Sequence, residues 1–236
     1  MTIGFIACKK NDATTTTSNL DASKTSSIKK GEPVSFTLSQ VPTGTVVNWS
    51  VSPSTNTQIN ASGNKASILF GLKGNYTVRA VSGSATATTN VSVSDSVYIP
   101  GGSGGPSAPS TLPFSSGETI NITASRIDSG STSGLILSAL TSNSYTCLEN
   151  SLLSTYSSNG NSLSIAYTGV SVPAGCTTGT AKATAFSYFY PIESGTNTLS
   201  INFNGSTYSG TIVKTGNNYT INWNYKTGVI ISPTSL

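Results

Sequence analysis

The sequence predicts an all-β protein: two antiparallel β-sandwich domains behind a disordered tether. Short runs of alternating apolar and polar residues recur from Glu32 to the C-terminus, and Gly, Pro, Asn or Ser bounds each one. Ser and Thr make up about a third of the 236 residues, while charged residues are only 8% against the usual quarter. A hydrophobic fraction of 36% is low but sufficient for small β-cores, and the apolar residues alternate rather than thin out.

Residues 1 to 30 precede the first alternating run. Met1 to Cys8 form an apolar stub that ends in Ala7 and Cys8, and a polar run rich in Thr follows. Phe5-Ile6-Ala7-Cys8 resembles a bacterial lipobox. Ala7 to Asp12 followed by Thr14 to Thr17 is similar to the mature start of Bacteroidota-type lipoproteins. That resemblance implies cleavage before Cys8, a lipid on Cys8, and anchoring to the outer membrane, with the membrane as the first partner. The stub departs from the family. It lacks a basic n-region and has about five apolar positions where a signal core needs roughly 7–15. The expectation is therefore a translation start upstream, or a clipped sequence. In the family an acidic cluster close behind the Cys goes with the outer face. Here Lys9 and Lys10 come first and Asp12 follows, so the periplasmic and surface faces both stay open. The alternative is a cytosolic N-terminus with an incidental Cys. Residues 9 to about 30 show no apolar period and read as a tether, which could span up to about 75 Å if fully stretched.

The first domain is expected over 31–97. Its strands are Val34 to Leu38, Val46 to Val51, Ala66 to Phe70, Tyr76 to Val81 and Ala87 to Val93, with turns at Pro42-Thr43-Gly44, Pro53-Ser54, Ser62-Gly63-Asn64 and Gly74-Asn75. No segment here offers ten residues at helical period. Five-residue strands at this spacing fit a sandwich of immunoglobulin size. Val46 to Val51 with its Trp, then Ile68-Leu69-Phe70, then Gly74 to Ala80, then Val-Ser-Val resembles a PKD or PKD-like Ig domain. The resemblance implies that Trp49 and Tyr76 are packing residues. The aspartate- and glycine-rich stretch that usually follows the Trp is replaced by Ser50-Val51-Ser52-Pro53, which favours the broader PKD-like label.

Residues 98–111, built around Gly101 to Pro109, read as a flexible linker with semi-stiff Pro ends. The second domain is expected over 112–236. Strands are predicted at Thr119 to Ser125, Leu135 to Leu140, Ser162 to Tyr167, Lys182 to Tyr190, Thr198 to Phe203, Tyr208 to Lys214, Asn218 to Trp223 and Gly228 to Ser232. Asn204-Gly205 and Gly216-Asn217 supply hairpin turns. This unit reads as an antiparallel sandwich or half-open barrel. Its tail is similar to the C-terminal β-domains of exported bacterial lipoproteins, a likeness that brings no catalytic or ligand residue.

The chain has no His, which removes Ser-His-Asp, Cys-His and His-ligated zinc chemistry. With Cys8 lipidated, Cys147 and Cys176 remain, 29 positions apart, and an oxidising compartment would let them bond. The alternative is two buried thiols; neither has a CxxC partner that would suggest a metal. The second domain's carboxylates, Glu118, Asp128, Glu149 and Glu193, are scattered near expected turns, so no catalytic residue is assigned. No cofactor is expected. From residue 31 onward seven basic residues, spread singly, face six acidic ones, which argues against nucleic acid. Exposed aromatics on a β-sandwich can serve as sugar platforms. The candidate ligand-binding residues are Tyr188, Tyr190, Trp223 and Tyr225, although their alternation equally describes a core. The sequence thus points to a non-enzymatic, lipid-anchored envelope protein acting as spacer and interaction or adhesion module. Its rival reading is a carbohydrate-binding accessory protein of the cell surface.

Overall fold

Period-two patterning becomes eighteen strands, with no helix among the described residues. The structure, a computed structural model, describes residues 18–41, 44–100, 109–129 and 132–236. Cys8, the lipobox-like stub, the tether up to residue 17 and the linker residues 101–108 lie outside the described residues.

The first domain is a sandwich of two four-stranded sheets. One runs in the order β1 (Leu20–Ala22), β3 (Pro33–Leu38), β6 (Lys65–Phe70), β5 (Thr57–Ser62). The other runs β2 (Ile28–Lys30), β8 (Ala85–Val97), β7 (Gly74–Ser82), β4 (Asn48–Ser52). Phe36, Leu38, Ile68, Phe70, Tyr76, Val78 and Val91 fill the space between them. Two strands correct the expected tether. Leu20 on β1 and Ile28 on β2 are buried in this core, β1 pairs with β3, and β2 pairs in parallel with β8. Each carries one buried residue in a polar context, too little for a periodic signal, and each is held by pairing with a longer strand. Tyr76 is buried and its hydroxyl donates to Leu72 O at 2.9 Å. This is the tyrosine-corner contact typical of Ig sandwiches. Trp49, the other expected packing residue, packs less completely. It is only half-buried, packs on the rim of the core, and reaches Gly63 O with its indole N–H.

The second domain is one ten-stranded sheet, which settles the sandwich-or-barrel alternative. It comprises β9 (Ser110–Leu112), β10 (Ile120–Ser129), β11 (Thr132–Thr146), β12 (Ser151–Asn159), β13 (Ser162–Val172), β14 (Thr180–Phe189), β15 (Gly195–Phe203), β16 (Ser206–Thr215), β17 (Asn218–Asn222) and β18 (Val229–Ser232). The order is β17-β16-β15-β13-β12-β14-β11-β10-β18, with β9 beside β13. The sheet is mixed rather than purely antiparallel, because β13/β15, β12/β14 and β10/β18 run parallel. It curls around one core that draws side chains from its whole width, Ile120 through Ile231. The last residues join its two ends. Beyond β18, Leu236 and Tyr219 exchange backbone hydrogen bonds at 2.9 Å, and Ile221 N–H donates to Thr234 O at 2.8 Å. A sheet closed this way hides edges that would otherwise invite another strand.

Glu118 pins this domain at the turn before β10. It is only 5% exposed and has no cationic partner among the described residues. Its carboxylate accepts from Tyr145 Oη (2.6 Å), Ser142 Oγ (2.7 Å), the N–H groups of Ser142 (2.7 Å), Asn143 (3.0 Å) and Thr119 (3.2 Å), and Asn143 Nδ2 (3.2 Å). Burial alone would raise its pKa. The hydrogen bonds from Ser142, Tyr145 and Asn143 outweigh burial and hold the carboxyl below its ordinary value of 4.5. A depressed carboxyl pKa contributes stability that is full above the unfolded-state value and is lost as pH falls through the folded one. Glu118→Ala is expected to destabilise the protein by about 3 kcal/mol at pH 7, since it orphans several buried donors. That difference should shrink below about pH 4.5, as read from urea midpoints at a series of pH values. A difference that stays constant down to pH 3 would contradict the assignment.

Candidate functional site

The two domains are docked, and the docking creates the site. On β6, Ala66, Ile68 and Phe70 face the first core, while Ser67 and Leu69 point the other way and are also buried. Leu69 meets Ile136 of β11 and Phe186 of β14, with Leu72, Ile127 and Tyr188 around them. Ile136 and Tyr188 are register partners, as are Ser138 and Phe186, so this apolar patch is the outer face of the second sheet. The ring of Phe186 fits between Gly31 and Gly71. A methyl group on Gly71 would lie 2.7 Å from the Phe186 ring and 2.9 Å from Asn56 O.

Polar contacts flank the patch. Tyr188 Oη donates to Gly71 O at 2.9 Å, and Lys30 Nζ stands 4.7 Å from the centre of the Tyr188 ring. Burial first, then neighbouring charge, pushes the Tyr188 phenol far above its ordinary pKa, so it remains a donor. At the other end Ser35 Oγ donates to Glu149 Oε1 at 2.6 Å, and Asn60 Nδ2 donates to Leu148 O at 3.3 Å. Glu149 is buried and its second oxygen accepts from Thr177 N–H at 2.8 Å. Thr177 adjoins Cys176, which is bonded to Cys147 with Cα atoms 5.8 Å apart. The disulfide therefore holds the loop that holds Glu149. Asn150 completes the turn, its amide donating to the carbonyls of Cys147 (2.8 Å), Ala181 (2.9 Å) and Tyr145 (3.1 Å). Cys147, Glu149 and Cys176 lie together, but with the sulfurs joined the group offers a metal a single carboxylate.

Between the domains, beside Tyr188, opens a cleft of about 230 Å³. The first domain contributes Lys30, Leu72, Lys73 and Asp95; the second contributes Ile127, Asp128, Tyr188 and Tyr190. Tyr190 is 41% exposed. Its ring packs beside Gly134, where an added methyl would lie 3.0 Å from Cδ2, and its hydroxyl pairs with Thr132 Oγ1. Asp95 bridges Lys30 (2.8 Å) and Lys73 (3.2 Å), and these hydrogen bonds lower its pKa. Asp128 pairs with Arg126 at 2.8 Å. A second cavity of about 320 Å³ lies across Lys30. It is lined by Tyr98, Ile99, Tyr156 and Phe186 among others, where β12 and β14 part after their single bridge at Ser151 and Thr184.

The structure thus brings Tyr188 and Tyr190 together and separates them from the other two predicted aromatics. Trp223 is 6% exposed in the second core, its indole N–H donating to Val229 O at 2.9 Å. Tyr225 packs on Trp223 and Tyr208, and its hydroxyl accepts from Ser209 N–H. Trp223 is therefore a core residue and not an exposed platform, whereas Tyr225 is half-buried against it, away from the interdomain cleft. The sequence did not point to Lys30, Asp95 or Phe186. The unbroken apolar runs Ile68-Leu69-Phe70 and Leu135-Ile136-Leu137, each buried on both faces, were the available signals of docking.

No protein-family model and no curated protein matches the sequence. Among solved structures the chain is similar to domains 5–6 of the S-layer protein SbsC at 14% identity and a TM-score of 0.26, covering 91% of this chain and 96% of that one. A likeness of that size carries no functional information.

Gly71→Ala is expected to push Phe186 out of its notch and to cost about 1–3 kcal/mol of docking. Small-angle scattering should register a larger radius of gyration, with the far-ultraviolet circular dichroism unchanged. Scattering identical to the parent's would show that the notch does not hold the domains.

Proposed function

We propose that the chain is a non-enzymatic protein of the bacterial envelope, lipid-anchored to the outer membrane through Cys8, that serves as a spacer and interaction module. The observation that carries this is the Cys147–Cys176 bond. Such a bond persists in exported proteins and is rare where glutathione and thioredoxin keep thiols reduced. It sits where it fixes Glu149 against Ser35, so oxidation and domain docking support one another. A docked pair of β-domains presents one composite surface held in a set arrangement, which suits a spacer that engages an envelope protein. A second reading is favoured by a specific feature: Tyr190 stands partly exposed in an interdomain cleft that combines apolar walls with Lys30, Lys73, Asp95 and Asp128, as a carbohydrate-binding accessory protein would require.

The test is the mass of the mature N-terminus after expression with the native upstream DNA. A diacylglyceryl or triacyl adduct on Cys8, lost in Cys8→Ala, is the expected result; an unmodified Met1 on a cytosolic protein would overturn the reading. Cys176→Ser is expected to lower stability by about 3–4 kcal/mol, measured as a shift in the urea midpoint that reducing agent reproduces in the parent chain.

A further inference from the structure

We propose that the interdomain cleft binds one uncharged sugar ring of an oligosaccharide, and that both domains build the site. This rests on the carbohydrate-binding reading above and gives it a location, a ligand class and a dependence on docking.

Three features of the cleft select that ligand. Tyr190 is the one aromatic among the large hydrophobic side chains that stand exposed within the described residues. Gly134 and Thr132 fix its ring in place, so its apolar surface can receive the C–H face of a pyranose with little ordering of the side chain. Around it the charges are already paired, Lys30 and Lys73 on Asp95 and Arg126 on Asp128. Such pairs offer N–H donors and carboxylate acceptors side by side, and a sugar hydroxyl, which is both donor and acceptor, can use both. They also disfavour a polyanion, which would have to displace Asp95 from two lysines. The volume of about 230 Å³ falls below the range of about 300–1,000 Å³ typical of drug-sized ligands. It admits one ring, with the rest of the oligosaccharide outside.

The walls come from both domains. Lys30, Lys73 and Asp95 are brought to Asp128, Tyr188 and Tyr190 by the docking of the domains, in which Phe186 seats between Gly31 and Gly71, Leu69 packs on Ile136 and Tyr188 bonds Gly71 O. A sugar touching both walls stabilises the docked state, and a variant that undocks the domains loses the sugar by the same linkage.

The experiment presents the full chain with neutral oligosaccharides of glucose, xylose, mannose, galactose and N-acetylglucosamine, alongside heparin and polygalacturonate, and measures affinity by calorimetry in low and high salt. At least one neutral oligosaccharide should bind at submillimolar concentration with little salt dependence. Tyr190→Ala should weaken that binding about tenfold or more at an unchanged melting temperature, and Tyr190→Phe, which keeps the ring, should stay within about threefold. Asp95→Asn should weaken it about fivefold, and Gly71→Ala should weaken it as the domains separate. The proposal is overturned if no neutral oligosaccharide binds at millimolar concentration, if binding survives Tyr190→Ala, or if only the anionic polymers bind and salt removes them. Lipidated Cys8 without sugar binding would defeat this proposal alone. Sugar binding by a chain with an unmodified N-terminus would defeat the envelope anchor alone.

Discussion

The seating of Phe186 between Gly31 and Gly71 is the contact on which the arrangement of this molecule depends. Each β-domain closes its own core, and neither needs the other to bury it. What lacks a partner is the outer face of β6 and the outer face of β11 and β14, where Leu69, Ile136 and Phe186 would stand in water if the domains parted. Burying three large apolar side chains is worth about 1.5–3 kcal/mol each by transfer. That is a substantial fraction of the stability of a small domain. The glycines set how closely the sheets approach, and that approach in turn sets whether Tyr188 reaches Gly71 O and whether Lys30 reaches the Tyr188 ring.

A chain with so few charges uses them at joints. Glu118 gathers six hydrogen bonds at the entry to β10, Glu149 ties the disulfide loop to Ser35 of the other domain, and Asp95 holds Lys30 and Lys73 at the cleft. Two of these three carboxylates are buried without a cation on them among the described residues, and each is satisfied by neutral donors whose number and direction must be right. Such an arrangement tolerates little rearrangement, which makes the joints specific as well as stable. The disulfide acts on one of them indirectly: it restrains the stretch of chain that presents Thr177 N–H to Glu149, rather than touching the first domain itself.

The all-β class and most strands were legible because one face of each sheet is core and the other solvent, which writes period two into Leu199-Ser200-Ile201-Asn202-Phe203 or Tyr76-Thr77-Val78-Arg79-Ala80. Strands whose support comes from neighbours were not. Leu20 and Ile28 each stand alone in polar sequence, Thr57–Ser62 carries mostly polar residues along a sheet edge, and Ser151–Asn159 is mostly polar and meets β14 through a single bridge. The mixed order of the second sheet was hidden for a different reason. Whether β13 lies beside β15 in parallel depends on crossings over long distances, and alternation records only which side of a strand is wet.

The candidate site was half legible for the same physical reason. Tyr188 and Tyr190 were picked out because aromatic residues two apart share a face, but that rule treats Trp223 and Tyr225 identically, and what separates the pairs is their surroundings: Trp223 is buried in the second core with Tyr225 half-buried against it, whereas Tyr188 is half-buried and Tyr190 exposed beside the other domain. Burial in turn depends on what lies against each face. The inner side of β17 meets the barrel core, whereas the outer side of β14 meets another domain that covers Phe186, half covers Tyr188 and leaves Tyr190 at the margin. That gradient along five residues of β14 and its end, from sealed to open, makes the boundary of the interface into a cleft. Lys30, Lys73 and Asp95 reach it from more than a hundred positions away in sequence order from Tyr190, except for Asp95 at a slightly shorter distance. Period and spacing carry no record of such a meeting, whereas a strand such as β6, apolar on both faces, does record that something must cover it. In a chain of two β-domains, a doubly buried strand is therefore the residue-level sign that the domains dock, and the margin of that docked face is where a site shared between them forms.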